Sequence, residues 1–432
     1  MRPYHPYAPE QGELVPASVD DLVPAGDPVR LIVPIVRDEL DLTPLHRALR
    51  AEKGRPPFHP AAMVGLILYG YCRGVYSSRR LAQACRENVS FMYLTGRAQP
   101  DFRTIALFRK RFRPVLERYF GEVLELCREA GLVRLGHVSL DGSKVRANAS
   151  KHKAMTYKRL VEKEGALERE IAAWFERAAE ADAAEDDEHG DGDDGYSLPK
   201  ELEETLRRLA VIRAAKERLE QQARERLAQA GHDPDMARVS EKAQTNFTDP
   251  DSRIMHTPEG FQQCYNTQLV VDTESQVIVA QGVSQAPPDV QQLEPMLERT
   301  IAANGRAPEQ LTADAGYASE RNFALLAAMG VDAVIALRRY HRDEPPDADP
   351  EQPNASGRWP FRNRMRERLT SADGKAIYKL RKQTVEPVFG QIKGARGFRQ
   401  FLCRGMEMVP LEWSLVCTAH NLLKLVGARA TA

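Results

Sequence analysis

The stretch "GHVSLDGSKVRANASKHK" (residues 136–153) contains the pattern on which the fold prediction depends. Val138 and Leu140 predict a short strand at 138–141 that ends at Asp141. Four cations follow the aspartate within a dozen residues: Lys144, Arg146, Lys151 and Lys153. Functional groups in open α/β sheets gather beyond the carboxyl ends of the strands, so Asp141 is a candidate site residue.

The charges of this 432-residue chain are strongly segregated, although its formal net charge is zero. Residues 73–113 contain ten Lys or Arg against two acids, and residues 358–404 contain thirteen against three. Residues 176–204 contain thirteen acids and two bases. The two basic blocks indicate a polyanionic partner, and the acidic block indicates a surface that faces elsewhere.

Cysteine usage and hydropathy exclude several classes of protein. The six cysteines form no CxxC pair, so neither a zinc site nor a disulfide framework is indicated. The N-terminus has no apolar signal region, and the longest charge-free apolar run, "PAAMVGLILYGYC", is too short for a membrane helix. We expect a soluble intracellular protein with no membrane partner.

The order of elements predicts an α/β protein with a mixed sheet, an all-α N-terminal region and a helical-hairpin insertion. The strand at 138–141 is followed by two long amphipathic stretches around the acidic linker "DAAEDDEHGDGDDGYS", which we expect to be mobile. Strand patterns then resume as a hairpin and β-α-β alternation. The expected domains are a helical DNA-binding domain (1–135), a catalytic domain (136–154 and 245–405), the insertion (155–244) and a C-terminal helix (406–432).

The N-terminal region contains a basic helix that suits the major groove of DNA. "PDFRTIALFRKRF" has apolar residues at helical spacing and, on its other side, the candidate DNA-binding residues Arg103, Arg109, Lys110 and Arg113. The alternative is that these charges form only a solvated helix face.

Three carboxylates are candidates for metal-dependent chemistry on a phosphodiester. Asp141 and Asp314 each end a predicted strand, and Glu386 is an isolated acid in the basic stretch "YKLRKQTVEPVFGQIKGARGFRQF". Such oxygens bind Mg²⁺, and two metal ions can activate a nucleophile and stabilise a leaving oxygen. Each aspartate alone is also typical of a turn or helix cap, and the glutamate of a salt bridge. Pro387 suits a first helical turn with Thr384 as cap, which predicts Glu386 near a helix start.

The motifs "LDGSKVRANASKHKAM", "NFTDPDSRIM", "YNTQLVVD", "ADAGYAS", "VEPVFGQIKGARGF" and "TAHNLLKL" together resemble bacterial insertion-sequence transposases of the DDE type. The resemblance runs from about residue 55 to the C-terminus. It implies an RNase H-like catalytic domain, a YREK-like signature and a catalytic, metal-binding triad of Asp141, Asp314 and Glu386 with two Mg²⁺ or Mn²⁺ ions.

The signature departs from the family pattern Tyr-x2-Arg-x3-Glu-x6-Lys at two positions. The spacing from Glu386 to Lys393 is kept, but Tyr378 and Arg381 each come one residue early. Either Arg381 or Lys382 therefore fills the cationic role. The remaining candidate DNA contacts are Lys144, Arg146, Tyr317, Arg381, Lys382, Lys393, Arg396 and Arg399. Core packing is the alternative for Tyr317, and a loop or cap role is the interpretation of Asp272 and Asp289.

The sequence thus predicts a transposase that binds terminal inverted repeats, cleaves the strand and joins its 3′-OH to target DNA. Its partners would be double-stranded DNA and a second copy of the chain, in a homodimer or larger synaptic assembly, and its location the bacterial cytoplasm in association with the nucleoid. The alternatives are a non-catalytic DNA-binding protein, such as a repressor or inactive relic, and a nuclease that cuts without joining.

Overall fold

The N-terminal third of the chain is helical in the computed structural model, which describes residues 18–49, 56–186, 200–229, 231–337 and 359–431. Ser77 and Asp101 cap the helices that follow them, because each side chain accepts backbone N–H groups of the first turn. A π-helical turn at Ile35–Glu39 follows the second helix. The helices are α1 (Val19–Leu22), α2 (Val29–Pro34), α3 (Thr43–Ala48), α4 (Pro60–Cys72), α5 (Ser78–Glu87), α6 (Val89–Thr95), α7 (Phe102–Arg111) and α8 (Arg113–Glu129).

Strands and helices alternate in the rest of the chain. The middle section consists of β1 (His137–Arg146), β2 (Ala154–Thr156), α9 (Tyr157–Asp186), α10 (Lys200–Gln229), β3 (Gln244–Asn246) and β4 (Arg253–Thr257). The final section consists of β5 (Gly260–Asp272), β6 (Ile278–Ser284), α11 (Leu293–Asn304), β7 (Gln310–Ala313), α12 (Glu320–Ala328), β8 (Asp332–Ile335), α13 (Pro360–Thr370), α14 (Ala372–Gly390) and α15 (Gly405–Thr431). Short 3-10 turns occur at Lys151–Lys153, Pro234–Met236 and Ala315–Tyr317, and a π-helical turn at Gln391–Ala395 follows α14.

The chain divides into two compact units, residues 1–145 with 266–432 and residues 146–265. In the first unit the sheet order is β6-β5-β1-β7-β8. β5 and β6 form the antiparallel hairpin that the sequence predicts, and β1, β7 and β8 are parallel. α12 connects β7 to β8, which is the predicted β-α-β unit.

The core of the first unit surrounds α15, which packs on α4, α8 and β6. Its apolar side chains are almost fully buried, and those of Trp413, Leu415 and Leu422 have no exposed surface. A helix hydrophobic on most sides is stable only when other elements surround it. The C-terminal helix is therefore a central element of this unit.

The second unit contains the predicted helical hairpin. Tyr157 of α9 donates a hydrogen bond to Glu220 of α10 (2.7 Å), and Thr205 donates to Glu170 (3.3 Å), so the two helices are antiparallel. β2 and β3 pair at its base, where the sequence predicted helix from residue 155. Part of the predicted acidic linker, residues 182–186, is helical, and the rest, from residue 187, lies outside the described residues.

The prediction of a mixed α/β protein with a helical N-terminal region is confirmed. The predicted domains 1–135 and 406–432 pack in the same compact unit as the sheet, so their separate functions stay predictions. Among the described helices, none combines the length and apolarity that are required to cross a bilayer.

Candidate active site

The register of two parallel strands brings Asp141 and Asp314 side by side. The last paired residues of β1 and β7 are Leu140 and Ala313, and the two aspartates follow them directly in the sequence. Asp314 accepts a hydrogen bond from the Gly316 N–H (2.8 Å), so it also has the turn role that the sequence allowed. The prediction that Asp141 ends its strand was wrong, because β1 continues to Arg146 as a neighbour of β5.

Glu386 reaches the same place from α14. The predicted helix start near this residue was wrong, because α14 begins at Ala372, where Ser371 is the cap. Thr384 lies inside the helix, and its hydroxyl donates to the Leu380 carbonyl (2.9 Å). Glu386 thus lies inside the helix, which runs to Gly390 and continues into the π-helical turn at Gln391–Ala395, so the dipole at a helix start does not act on it.

Arg381 connects the two elements. Its guanidinium donates to Asp141 Oδ2 (2.7 Å) and to Glu386 Oε1 (3.3 Å). The arginine and Asp141 side chains are only 11% and 14% exposed, whereas Glu386 is 50% exposed. Of the two cations that the sequence left open, Arg381 therefore lies beside Glu386, and Lys382 points to solvent.

Burial controls the protonation of Asp141. Burial raises the pKa of this carboxyl, the Arg381 guanidinium lowers it and the nearby Asp314 raises it, with the net result that the pKa is about 6. Tyr378 lies in the same field, and its pKa is raised mainly by burial and also by the three carboxylates, while Arg381 lowers it. Burial beside Asp314 thus disfavours the ionised form of Asp141 even though Arg381 is in contact with it.

The donor atoms fit a divalent cation in kind, since Mg²⁺ and Mn²⁺ prefer carboxylate oxygens. The adjacency of the Asp141 and Asp314 carboxylates at the end of the β1–β7 pairing is the observation that favours such an ion. The arrangement is not a ready coordination shell: within the described residues, no group of three or more His, Cys, Asp or Glu side chains is placed to hold a metal. Instead, Arg381 occupies the space between Asp141 and Glu386.

Several predicted DNA contacts are engaged inside the protein. Arg109 is buried and donates to the Tyr71 hydroxyl, the Tyr76 carbonyl and Ser78. Tyr317 has no exposed surface and donates to Gln268, so it cannot stack on a base, and the core-packing alternative is the one that fits. Arg109 and Tyr317 are therefore corrected to structural residues in this conformation.

The other residues that were predicted to contact DNA differ in their partners within the protein and in their exposure. Lys144 pairs with Asp289 (3.0 Å), which corrects its predicted position facing phosphates. Lys393 donates to Ser143 Oγ (2.5 Å) and to the Lys144 carbonyl (2.9 Å). Arg396 is half-buried and lies 3.1 Å from the His420 ring nitrogen. Arg113 donates to the Glu407 carbonyl (2.9 Å). In the second unit, Arg146 lies 3.7 Å from Glu259. The side chains that remain exposed are Arg103, Lys110, Lys382 and Arg399.

Asp289 and Gln268 lie near the site, although the sequence did not identify either of them as a site residue. Asp272 has the predicted turn role and accepts backbone N–H groups of residues 134, 135 and 274. Asp289 lies in a loop, which is one of the two roles that the sequence predicted, and its side chain faces Lys144, Asn266 and Gln268. Gln268 looked like one polar residue in an alternating strand, and no local pattern distinguishes it.

Two family models match the chain. "Transposase domain (DUF772)" matches residues 17–111, and "Transposase DDE domain" matches residues 240–422, which include Asp314, Glu386 and Arg381. No curated protein and no solved structure matched significantly. Together the two matches cover more than half of the chain, from the helical region to the helix that carries the glutamate. The chain belongs to the insertion-sequence transposases of the DDE type.

Proposed function

We propose that this transposase binds the terminal inverted repeats of its element, cleaves at the element end and joins the freed 3′-OH to target DNA. The observation that carries the proposal is that Arg381 pairs with both Asp141 and Glu386, while the strand register places Asp314 beside Asp141. We also propose that the sheet is of the RNase H type, which the mixed strand order supports. DNA is the expected partner because exposed cations remain on α7 and around α14.

Asp141, Asp314 and Glu386 would hold divalent cations, Mg²⁺ or Mn²⁺, two per site. When bound, such ions polarise the scissile phosphate and lower the pKa of an attacking water. Arg381 compensates the carboxylates without the ions and would turn toward a DNA phosphate when they bind. Lys393 connects α14's π-helical extension to β1, because it donates to the Ser143 hydroxyl and to the Lys144 carbonyl.

Both chemical steps are displacements at phosphorus. In the first, the oxygen of water attacks, and the 3′ oxygen of the element end leaves and takes a proton. In the second, this 3′-OH attacks a target phosphodiester, loses its proton, and the target's own 3′ oxygen leaves. Because the attacking and leaving atoms are oxygens in both steps, one site can serve both. Two ends must react together, so a dimer or larger assembly is expected.

A strand-transfer assay tests this proposal. The full chain would be incubated with a precleaved inverted-repeat oligonucleotide, Mg²⁺ and a plasmid target. We expect joined product, and a loss of at least about 100-fold in Asp141→Ala, Asp314→Ala and Glu386→Gln. The matched control is Glu367→Gln, an exposed acid on α13, which should join normally.

The other outcomes identify the alternatives. Nicking of the plasmid without joining would indicate a nuclease that cuts only. Binding of the repeats with neither nicking nor joining would indicate a non-catalytic DNA-binding protein and would overturn the enzymatic proposal.

A further inference from the structure

Asp289 lies at the site without belonging to the predicted triad. It is in the loop between β6 and α11, and its Oδ1 atom accepts from Lys144 Nζ (3.0 Å), Asn266 Nδ2 (2.7 Å) and Gln268 Nε2 (2.9 Å). Lys144 Nζ also donates to Oδ2 (3.3 Å). Its side chain is 21% exposed. This acid is therefore held in one position by partners on β1 and β5.

The carboxylate of Asp289 also touches the backbone next to both triad aspartates. A Cβ atom on Gly142, the residue after Asp141, would lie 2.7 Å from Asp289 Oδ1. A Cβ atom on Gly316, two residues after Asp314, would lie 3.4 Å from Asp289 Oδ2. The carboxylate thus lies between the two chain segments that carry Asp141 and Asp314, and at residue 142 only glycine leaves room for it.

Hydrogen bonds connect Asp289 to the same two segments a second time. Lys144, three residues after Asp141, is its ion-pair partner. On the other side, Gln268 donates to Asp289 and accepts from the hydroxyl of Tyr317, three residues after Asp314. Since Tyr317 and Gln268 are buried, this connection is fixed by packing as well as by hydrogen bonds.

The pairing with Lys144 explains how a further acid is tolerated here. An unpaired Asp289 would add another negative charge to a place where Asp141 is already disfavoured in its ionised form. The ammonium of Lys144 offsets that charge, and the amides of Asn266 and Gln268 donate to the same oxygen, Oδ1, that Lys144 contacts at 3.0 Å. Asp289 is thus engaged by protein donors, unlike the half-exposed Glu386.

We propose that Asp289 and Lys144 are positioning residues that set the separation of Asp141 and Asp314, and that Lys144 does not contact DNA in this role. The inference rests on the proposed function, because the separation matters only where the two aspartates share ions. Residues that orient ligands without binding the metal typically change metal affinity or activity by about 10- to 100-fold when mutated.

The test compares Asp289→Asn and Lys144→Gln with the unmutated full chain. Mn²⁺ binding is measured without DNA, from the electron paramagnetic resonance signal of the free ion, and strand transfer is measured across DNA concentrations. We expect the Mn²⁺ Kd to rise about 10-fold or more in each variant and kcat to fall, with KM for DNA nearly unchanged. The double variant should be no worse than the worse single variant, because both remove one ion pair.

The matched control is Asp332→Asn. This acid forms an ion pair with Arg368 (2.7 Å) at the other end of the parallel strands, so its loss should not change the Mn²⁺ Kd. Thermal unfolding reports whether each variant folds. If Asp289→Asn does not fold, Lys144→Gln carries the test, since glutamine still donates a hydrogen bond and leaves Asp289 in place.

Two results would overturn the inference. One is an unchanged Mn²⁺ Kd in the folded variants. The other is a Lys144→Gln variant with raised KM, a weaker salt dependence of DNA binding and normal Mn²⁺ affinity, which would make Lys144 a phosphate contact. Failure of the proposed function is distinguishable, because the unmutated chain would then bind Mn²⁺ without joining DNA.

Discussion

Asp141 is buried and has a neighbouring acid, and both of these features raise its pKa. Its side chain is 14% exposed, and its pKa is raised to about 6 although Arg381 donates to it at 2.7 Å. The sequence around it suggested a carboxylate among DNA-facing cations. In the structure, Lys144 has its own acid, Asp289, and the cation that reaches Asp141 comes from α14.

The raised pKa of Asp141 predicts a pH-dependent loss of stability. Between pH 3.8 and about 6 the folded chain holds this proton more tightly than the unfolded chain, so the free energy of unfolding falls as pH rises. This loss of stability is absent below the pKa of Asp141 in the unfolded chain and complete above its pKa in the folded chain. The pKa shift corresponds to a loss of about 3 kcal/mol at most. Urea unfolding of the unmutated chain and of Asp141→Asn, from about pH 4 to about pH 7, measures it, because the asparagine variant lacks this part of the slope.

Asp27 provides a contrasting control for that experiment. Burial raises its pKa, but hydrogen bonds from the Val29 N–H, Ser90 and Tyr69 outweigh burial and hold the pKa below its ordinary value. Its contribution is therefore complete above the unfolded pKa of 3.8 and is lost only as pH falls below it, so Asp27→Asn should leave the slope between about pH 4 and about pH 7 nearly unchanged. A pH-independent difference between the unmutated chain and Asp141→Asn would contradict the prediction for Asp141.

The spacing of residues on α14 could not identify the arginine. Lys382 is four residues before Glu386 and shares its helical face, which local geometry favours for an ion pair. Arg381 is five residues before it, yet Arg381 makes the contact, because Asp141 on β1 draws the guanidinium into the space between helix and strand. Helical periodicity relates only residues that are close in the chain, so it could not predict the contact of Arg381 with Asp141, 240 residues away.

At the scale of elements, α14 is the helix whose predicted boundaries differ most from the structure. Pro387 has no N–H to give to the carbonyl of Gln383, yet the helix continues through it. Gln276, in the turn between β5 and β6, donates to that carbonyl (3.0 Å). The same side chain accepts from Lys424 (2.9 Å) and Gln391 (3.4 Å). A distant turn thus completes the helix that carries Glu386.

This arrangement predicts that Gln276→Ala lowers the free energy of unfolding by about 1 kcal/mol, because the Gln383 carbonyl loses its donor and Lys424 and Gln391 lose an acceptor. The cost should be smaller in a Pro387→Ala background, where residue 387 supplies its own N–H to Gln383. Urea unfolding of the four proteins of this cycle measures the coupling. Glu274→Ala, an exposed change in the same turn, is the control and should stay within about 0.5 kcal/mol. Equal costs of Gln276→Ala in both backgrounds would refute the explanation.

At the scale of the whole molecule, the last helix is part of the core of the first unit. α15 packs on α4 and α8 of the N-terminal region and on β6 of the sheet. Its Asn421 side chain also joins the β6 backbone, since it donates to the Ile278 carbonyl (2.8 Å) and accepts from the Ile278 N–H (2.8 Å). The helices matched by the first transposase family model therefore pack around a helix from the far end of the chain.

Leu422→Ala is expected to cost about 2–5 kcal/mol, because the side chain is fully buried among these elements and leaves a cavity. Leu402→Ala is the matched control: the same atoms are removed from a side chain that is 44% exposed, and the cost should be below about 1 kcal/mol. Urea unfolding followed by tryptophan fluorescence measures both. Similar losses would contradict a core that is organised around α15.

The sequence by itself determined the elements and the family, because both depend on local patterns. Alternating and helical spacings predicted the β5–β6 hairpin, the β7-α12-β8 unit and the helices of the second unit, and short motifs identified the DDE transposases. Only the tertiary structure decided the continuation of β1 past Asp141, the course of α14 through Pro387, and the choice of Arg381 and Asp289 as neighbours of the site. Each of these depends on a contact between residues far apart in the chain, such as Asp141 with Arg381 or Gln276 with Gln383, and the energy of such contacts has no local signature.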